Sequence, residues 1–356
     1  MPTRVHLHVG APKSGTTYLQ SRLYANRRAL RRHDVSYPAG RLGDPRAQYW
    51  AALEATAADH GVDQRRVRGA WARLVRGIRR TSGDVVVSHE VLAAATPQQA
   101  DRVLADLAST GAEVHLVLTA RDLARELTSG WQETLKFGSK ASFATYLANA
   151  RDGRSAFMEG FDPVRVLTTW GARLPAERIH VVTAPPAGGP PDLLWLRFLD
   201  AVGVRPSWAP REASRANESV GVAEAQLLRR LNHRLGDGAR RGGEYSLLVD
   251  GIVVGEALAP RASARITLGP EDHPWVAARS DEWIRWLRER EVQVHGDLDD
   301  LRPAPPDPGW TDPDAPVPRQ VADAAVDVME TLLEEVRRRP RPVLQRARRA
   351  LARLWR

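Results

Sequence analysis

The segment HVGAPKSGTTYLQSRL, residues 8–23, brings together residue types that bind anions. A β-type run ends at Gly10, the loop after it carries Lys13, and an amphipathic helix begins at Thr16 and Thr17. The first N–H groups of a helix have no intrahelical acceptor, and the positive end of the helix dipole lies at the same point. A cation in the loop and hydroxyl groups at the helix start therefore suit a phosphate-like group with a second oxyanion beyond it.

The loop departs from the P-loop of ATPases and GTPases in the position of its lysine. The P-loop pattern G-x-x-x-x-G-K-[ST] has a lysine after the second glycine, whereas here Thr16 follows Gly15 and Lys13 lies inside the loop. No β-type run clearly ends in an aspartate of the Walker-B kind. A nucleotide kinase or another phosphoryl transferase with an atypical P-loop is therefore an alternative with two points against it.

Two further β-type runs end in residues that bind anions or move protons. The run in VVVSHEVL ends at His89 and Glu90, and the run in VHLVLTARDLARELTSGWQE is followed by Arg121 and Ser129. Ligands of open parallel sheets bind beyond the carboxyl ends of the strands. Because successive residues point to opposite sides, only one of His89 and Glu90 is expected to face a substrate. We prefer Glu90 as a general base, since His89 could instead fix the loop by hydrogen bonding.

The spacing of Arg121 and Ser129 suits a grip on a second phosphate. Eight helical residues correspond to a rise of about 12 Å, which a long arginine at the helix start can partly close. The alternative is that Arg121 pairs with Asp122 or Glu126 on a helix surface. The residues alone leave both interpretations open.

The β-type runs alternate with helical segments along the first half of the chain. The runs are Val5–Val9, Val85–Val87, Val114–Leu118 and Ile179–Thr183. Such alternation predicts right-handed crossovers and an α/β fold, a three-layer αβα arrangement with a central parallel sheet. The less regular region 242–275 holds two further short candidates, Tyr245–Val249 and Arg265–Leu268.

The predicted organisation is one large domain followed by a helical extension. The α/β domain covers 1–301, with insertions near 40–80 and 236–295 that would shape an acceptor pocket. The segment 302–318, RPAPPDPGWTDPDAPVP, has the composition of a proline-rich linker. A mainly helical C-terminal extension with a basic tail covers 319–356.

Composition excludes several classes of protein. The chain of 356 residues has no cysteine, so disulfides, thiol nucleophiles and thiolate metal sites are excluded. The N-terminal β-type run leaves no room for a signal peptide, and no run approaches the roughly 18 apolar residues of a membrane span. A cytoplasmic protein is expected. The net charge of +9 is scattered over helices without a nucleic-acid-binding signature, so no nucleic-acid partner is expected.

The combination of GAPKSGTT with the later TARDLARELTSGWQE resembles the sulfotransferases that use 3′-phosphoadenosine 5′-phosphosulfate (PAPS) as donor. The motif similarity covers roughly residues 5–135. The later stretches VQVHGDLDDLRP and ANESVGVAEAQLLRRLN show a weaker similarity to bacterial sulfotransferase-like proteins. The resemblance implies a sheet of the type found in P-loop nucleoside-triphosphate hydrolases.

The resemblance also implies roles for individual residues. Contacts with the 5′-phosphosulfate would come from Lys13, Ser14, Gly15, Thr16 and Thr17, and contacts with the 3′-phosphate from Arg121 and Ser129. Lys13 would stabilise the leaving phosphate, and Glu90 or His89 would accept the proton of the acceptor. No metal is implied. A later loop of the family suggests a flexible 3′-phosphate clamp at Arg215, Asn217 and Ser219.

The expected reaction is transfer of a sulfuryl group to a hydroxyl or amine of a small-molecule or glycan acceptor. The sequence identifies neither the acceptor nor the oligomeric state. A non-catalytic nucleotide-binding protein is an alternative, against which the joint presence of Lys13, His89 and Glu90 argues. The tail RPVLQRARRALARLWR, residues 341–356, predicts a basic amphipathic helix. Such a helix can lie on an anionic membrane, but we favour docking on the protein's own core.

Overall fold

A parallel sheet of six strands is the centre of the first of two units. The computed structural model describes residues 2–40, 43–58, 62–212, 219–235, 247–261 and 263–338. The first unit comprises Met1–Leu127, Asp152–Asn217 and Pro270–Pro306, and the second comprises Thr128–Arg151, Glu218–Gly269 and Asp307–Arg356. The predicted boundaries of the α/β domain and the linker stay predictions.

The strand order confirms the prediction of an α/β fold with a central parallel sheet. The order is β2-β3-β1-β4-β5-β6, and all neighbouring strands are parallel. The four predicted β-type runs are strands β1, β3, β4 and β5, whereas the short edge strands β2 and β6 were not predicted. The strands are β1 (Pro2–His8), β2 (Val35–Ser36), β3 (Gly83–Ser88), β4 (Glu113–Ala120), β5 (Ile179–Thr183) and β6 (Gln293–His295).

Helices occupy most of the remaining described chain. Within the described ranges, none has the length and apolarity that crossing a bilayer requires. The helices are α1 (Thr16–Arg31), α2 (Ala47–Thr56), α3 (Gln64–Val67), α4 (Ala70–Arg79), α5 (Pro97–Ala108), α6 (Leu123–Lys136), α7 (Phe143–Arg151), α8 (Ala156–Phe161), α9 (Pro163–Trp170), α10 (Leu193–Ala201), α11 (Val222–Arg234), α12 (His273–Glu289) and α13 (Pro318–Arg338).

Alternate residues of the strands build two apolar cores, one on each face of the sheet. Leu7, Val87 and Leu116 belong to a core shared with helices α2, α4, α5 and α9. Val86 and Val117 belong to a second core shared with α1 and α10. Because side chains alternate across a strand, both faces of the central strands are buried, as in a sheet covered by helices on both sides.

Local sequence signals determine where several helices begin. At α5 the Thr96 hydroxyl accepts a hydrogen bond from the N–H of Gln99, and the Gln99 side chain accepts one from the N–H of Thr96. This capping box satisfies two N–H groups that helix geometry leaves free, and Pro97 suits the first helical position. The sequence signal Thr96-Pro97 therefore marks the helix start correctly.

The regular secondary structure of the second unit, where described, is helical. It contains α7, α11, α13, the later part of α6 and a π-helix, Leu247–Leu258. The expected strand at Arg265–Leu268 is wrong, because this segment has no regular structure. The described part of Tyr245–Val249 is helical rather than extended.

Asp314, within the proline-rich segment, accepts hydrogen bonds from the N–H groups of Phe143 and Ala144 at the start of α7. The tail at 341–356, for which the sequence predicts a basic amphipathic helix, lies outside the described residues.

A row of four histidines crosses the sheet in the first unit. His6, His115, His180 and His295 lie on the successive strands β1, β4, β5 and β6, with neighbouring ring centroids 5.2–5.4 Å apart. His115 Nδ1 lies 2.9 Å from His180 Nε2, and His180 Nδ1 lies 3.0 Å from His295 Nε2. At one end of the row, His295 Nδ1 lies 2.6 Å from a carboxylate oxygen of Asp200.

The environment of His6 and His180 disfavours their protonation. Burial, followed by the charges of His115, His180 and Arg4, lowers the pKa of His6 to about 3. Burial, followed by the charges of His295 and His115, lowers the pKa of His180 to about 4. Both nitrogens of His6 are buried and have no hydrogen-bond partner among the described residues. The imidazoles of His6 and His180 are therefore neutral at pH 7.

We predict that the protein loses stability as the pH falls below about 6.5, the ordinary pKa of histidine. Between this value and the lowered pKa values, the unfolded chain binds protons that the folded chain does not, so acidification favours unfolding. His6→Leu should make this loss shallower by up to about 1.4 kcal/mol per pH unit. Chemical denaturation of the wild-type protein and of His6→Leu at pH 7, 5.5 and 4.5 measures the free energy of unfolding. Equal slopes of this free energy against pH for the two proteins would contradict the prediction.

Candidate functional site

The loop between β1 and α1 adopts a left-handed backbone at three positions. The φ angles are +60° at Gly10, +67° at Lys13 and +98° at Gly15. Glycine adopts this conformation readily, whereas a non-glycine residue pays a cost of about 1–3 kcal/mol when held there. Lys13 is therefore held in a strained conformation directly before the N-terminus of α1. Strain of this kind is concentrated at functional sites.

Steric constraints leave room only for glycine at the two ends of the loop. A Cβ atom at position 10 would lie 2.5 Å from Cγ2 of Thr16 and 3.3 Å from Cβ of Glu90. A Cβ atom at position 15 would lie 2.4 Å from Cδ2 of Leu194. The missing side chain of Gly10 thus allows the loop to contact Glu90, which follows a different strand.

The Ser14 side chain fastens the loop to the sheet. Its hydroxyl lies 2.6 Å from that of Thr119 and donates to the carbonyl of Ala11, while its N–H donates to the same carbonyl. The network continues into the sheet, where His8 contacts the hydroxyls of Thr119 and Ser88. All four side chains are buried. The predicted contact of Ser14 with an anion stays a prediction, because its described polar contacts fasten the loop to β4.

Arg121, at the end of β4, reaches the loop directly. Its Nη1 donates a 2.8 Å hydrogen bond to the carbonyl of Lys13, and its buried Nε has no partner among the described residues. Arg121 precedes α6, and Asp122 pairs with Arg125 instead. Asp122 is thereby engaged elsewhere, and Glu126, the other alternative partner, is buried rather than on a helix surface. The structure brings together the two cationic residues that the sequence singled out.

Glu90 lies at the end of β3, against the same loop. Its carboxylate accepts a 2.7 Å hydrogen bond from the side chain of Gln20 on α1, and 27% of the side chain is exposed. Burial raises the pKa of Glu90, but the nearby His89, a backbone hydrogen bond and the hydrogen bond from Gln20 together outweigh burial and keep the pKa below the ordinary value. Glu90 is therefore an ionised carboxylate at neutral pH.

His89 has a different local role. Its Nδ1 accepts a hydrogen bond of 3.3 Å from the N–H of Val91 and so caps the 3₁₀-helix Glu90–Ala94. An imidazole that accepts at Nδ1 carries its proton on Nε2 when neutral. Burial lowers the pKa of His89, although the charge of Glu90 raises it. Neutral His89 in this tautomer has its acceptor nitrogen engaged, which makes Glu90 the better candidate for accepting a proton.

Glu126 is a site residue that the sequence reading missed. It lies in the first turn of α6 with only 1% of its surface exposed. Burial raises its pKa to about 8, although the charges of Arg121, Arg125 and Lys13 lower it. The signal was present, because position 126 lies three residues after Leu123 and so shares its buried face.

The remaining predicted residues are distributed as follows. Thr16 is buried, with its methyl group against Gly10, whereas Thr17 is exposed. Ser129 is partly exposed on α6, and it belongs to the second unit. Arg215 and Asn217 lie outside the described residues, and Ser219 is exposed. Their contacts with a donor stay predictions.

Comparison with known proteins gives no match: no family model, curated protein or solved structure is similar to this chain. The function is therefore inferred from the geometry and chemistry of the site itself. That site comprises the strained Lys13 loop, the guanidinium of Arg121, the carboxylate of Glu90 and the buried carboxyl of Glu126.

We predict that Gly10→Ala destabilises the protein more than Gly188→Ala does. Both glycines have positive φ, +60° and +80°, so both variants pay the left-handed cost of about 1–2 kcal/mol. A Cβ at position 188 meets no atom within 4 Å, whereas a Cβ at position 10 clashes with Thr16. Overpacking adds about 1–3 kcal/mol. Urea denaturation of both variants measures the difference; equal losses would mean that contact at Gly10 is not tight.

Proposed function

We propose that this protein is an enzyme, a PAPS-dependent sulfotransferase whose donor site is the loop of residues 10–17. The observation that carries the proposal is the hydrogen bond from Arg121 to the carbonyl of Lys13, since it joins two cationic residues at the N-terminus of α1. A donor with a 5′-phosphosulfate and a 3′-phosphate needs two cationic binding sites. The proposal includes the P-loop-like type of the sheet and the cytoplasmic location expected from the sequence.

The chemistry of the donor set fits a nucleotide that carries two separate anionic groups. The first N–H groups of α1 and the side chain of Lys13 favour one anionic group. Arg121 has a buried Nε without a described partner, which leaves a donor for a further anionic oxygen. Glu126, with its pKa raised to about 8, is largely uncharged at neutral pH and so does not cancel these cations.

Each proposed catalytic residue has a defined part in the transfer. Glu90 accepts the proton of the acceptor hydroxyl or amine while the new bond from that oxygen or nitrogen to sulfur forms. The bond from sulfur to the bridging phosphate oxygen breaks, and Lys13 stabilises the charge that the phosphate gains. Adenosine 3′,5′-bisphosphate leaves. Positioning and charge stabilisation of this kind are the main sources of catalysis in the related transfer of phosphoryl groups.

Calorimetry with two nucleotides tests the proposal. We expect adenosine 3′,5′-bisphosphate to bind at least tenfold more tightly than ATP, because only the former carries phosphates at both the 3′ and the 5′ position of the ribose. Preferential binding of ATP would overturn the proposal and favour a phosphoryl transferase.

Arg121→Ala provides the internal control for this experiment. Loss of a charge-assisted hydrogen bond should weaken the binding of adenosine 3′,5′-bisphosphate by about tenfold or more. The binding of adenosine 5′-phosphate should weaken much less. Arg125→Ala is the matched variant, since Arg125 pairs with Asp122 rather than with the loop. Equal losses for both ligands would show that Arg121 does not bind the 3′-phosphate.

The assignment of the base generates a second prediction. Glu90→Gln should reduce sulfuryl transfer by about 10²–10⁴-fold, the range of general-base contributions, while donor binding is retained. His89→Gln should reduce it less, because His89 acts through the loop that it caps. Turnover assays with a panel of hydroxyl and amine acceptors measure both variants. A severe defect in His89→Gln together with normal turnover in Glu90→Gln would reverse the roles.

A further inference from the structure

Three histidines of the row across the sheet are joined by hydrogen bonds, and we call them the imidazole chain. Its members are His115, His180 and His295, on the neighbouring strands β4, β5 and β6. The two contacts between them are nitrogen–nitrogen distances of 2.9 and 3.0 Å. The ring of His6 contacts that of His115, but the His6 nitrogens have no partner among the described residues. His6 therefore does not extend the imidazole chain.

A carboxylate lies at each end of the imidazole chain. Nε2 of His115 lies 2.7 Å from an oxygen of Glu113, and Nδ1 of His295 lies 2.6 Å from an oxygen of Asp200. The side chains of His115 and His295 are 12% and 14% exposed, whereas those of Glu113 and Asp200 are 40% and 77% exposed. The imidazole chain thus joins two carboxylates that water can reach.

The four contacts of this arrangement need more protons than neutral imidazoles supply. Each contact of 2.6–3.0 Å needs one proton between its two heavy atoms, because two acceptors at this distance repel each other. A neutral imidazole has one N–H and one acceptor nitrogen, and an ionised carboxylate only accepts. Three neutral rings supply three protons. They would leave a nitrogen lone pair directly against a carboxylate at one end.

The fourth proton belongs on an imidazole rather than on a carboxyl group. Carboxyl side chains ordinarily titrate near pH 4, whereas imidazole titrates near pH 6.5. The hydrogen bond with His115 lowers the pKa of Glu113, burial opposes this effect, and the charge of Arg178 adds to the lowering. A hydrogen bond from a charged imidazole to a carboxylate is also about twice as strong as a neutral one.

The neutral state of His180 leaves two positions for the charge. Burial, together with the charges of His295 and His115, lowers the pKa of His180 to about 4. If His180 carries its proton on Nδ1, it donates to His295, and His115 is the charged ring. If it carries its proton on Nε2, it donates to His115, and His295 is the charged ring. The two states differ only in the positions of two protons within their hydrogen bonds.

The charged groups near the Glu113 end disfavour a positive charge on His115. Arg178 pairs with Glu113 at 2.7 Å and so shares this carboxylate. Arg4, on β1, adds a second positive charge, which contributes to the lowered pKa values of Glu113 and His180.

The Asp200 end is more favourable for a positive charge. Asp200 lies in the last turn of α10, and the negative end of a helix dipole favours a cation nearby. Arg197, on the same helix, pairs with Asp300 and leaves Asp200 to His295. His295 is therefore the preferred position of the charge.

We propose that the imidazole chain is a proton-binding site, which holds one excess proton at neutral pH, mainly on His295, and transfers the charge to His115 when the tautomer of His180 reverses. The bound proton comes from solvent at the exposed carboxylates. Its charge strengthens the contact between the three-residue strand β6 and α10. His115 and His180 lie near the amino ends of their strands, whereas the proposed donor loop follows the carboxyl end of β1. The two sites are therefore separate.

Ring ¹⁵N chemical shifts test the proton count, because they distinguish protonated from unprotonated nitrogens of histidine. In the full-length protein at pH 7, four of the six ring nitrogens of the imidazole chain should carry a proton. Asp200→Asn should reduce this number to three, since the amide N–H can donate to His295 and no excess proton is then needed. Asp323→Asn, on α13, removes the same charge outside the imidazole chain and should leave the number at four.

Replacing the two carboxylates one at a time should select opposite tautomers. In Asp200→Asn, each of the three rings should carry its proton on Nε2, because Glu113 still accepts from His115. In Glu113→Gln, each ring should carry its proton on Nδ1, because Asp200 still accepts from His295. A merely structural role of the carboxylates would not reverse the tautomer of His180, which neither carboxylate contacts.

Three results would overturn the proposal. Three protonated nitrogens in the wild-type protein would show that the imidazole chain is neutral, and this measurement needs no variant to fold. Four protonated nitrogens in either carboxylate variant would show that the carboxylates do not determine the count. The same His180 tautomer in Asp200→Asn and Glu113→Gln would show that the rings do not exchange protons as one chain.

Discussion

Close packing at Gly10, where no side chain fits, is the constraint on which the geometry of the candidate site depends. It allows the loop after β1 to contact Glu90 at the end of β3. The hydrogen bond from Arg121 then ties the same loop to the end of β4. Because the three strands are parallel neighbours, their carboxyl ends meet at one edge of the sheet. One short loop thus joins groups that are far apart in the sequence.

The balance of charge at this edge follows from burial. Glu90 remains ionised because hydrogen bonds from the backbone and from Gln20 stabilise its carboxylate. Glu126 is more enclosed, and its pKa rises to about 8. Glu90 and Glu126 therefore differ in protonation at neutral pH. Such a separation of pKa values distinguishes a group that can accept a proton from one that preserves a positive field.

Much of this arrangement could be predicted from the sequence, because alternation of strands and helices determines which residues share a sheet edge. The meeting of Lys13, Arg121 and Glu90 follows from that rule. The inward direction of the Ser14 hydroxyl does not, since it depends on contacts with Thr119, which is distant in the sequence. The short strand β6 was missed for the same reason: its pairing with β5, rather than its own composition, makes it a strand.

The two edges of the sheet have a consequence for how the protein behaves among other chains. The outermost strands, Val35–Ser36 and Gln293–His295, are only two and three residues long. A long edge strand offers a row of unpaired N–H and carbonyl groups that recruits strands from other molecules. Such short edges provide few of these groups, so the sheet gives little template for amyloid-like growth. The brevity of the outer strands thereby limits the edge-to-edge pairing that this parallel sheet could offer to other chains.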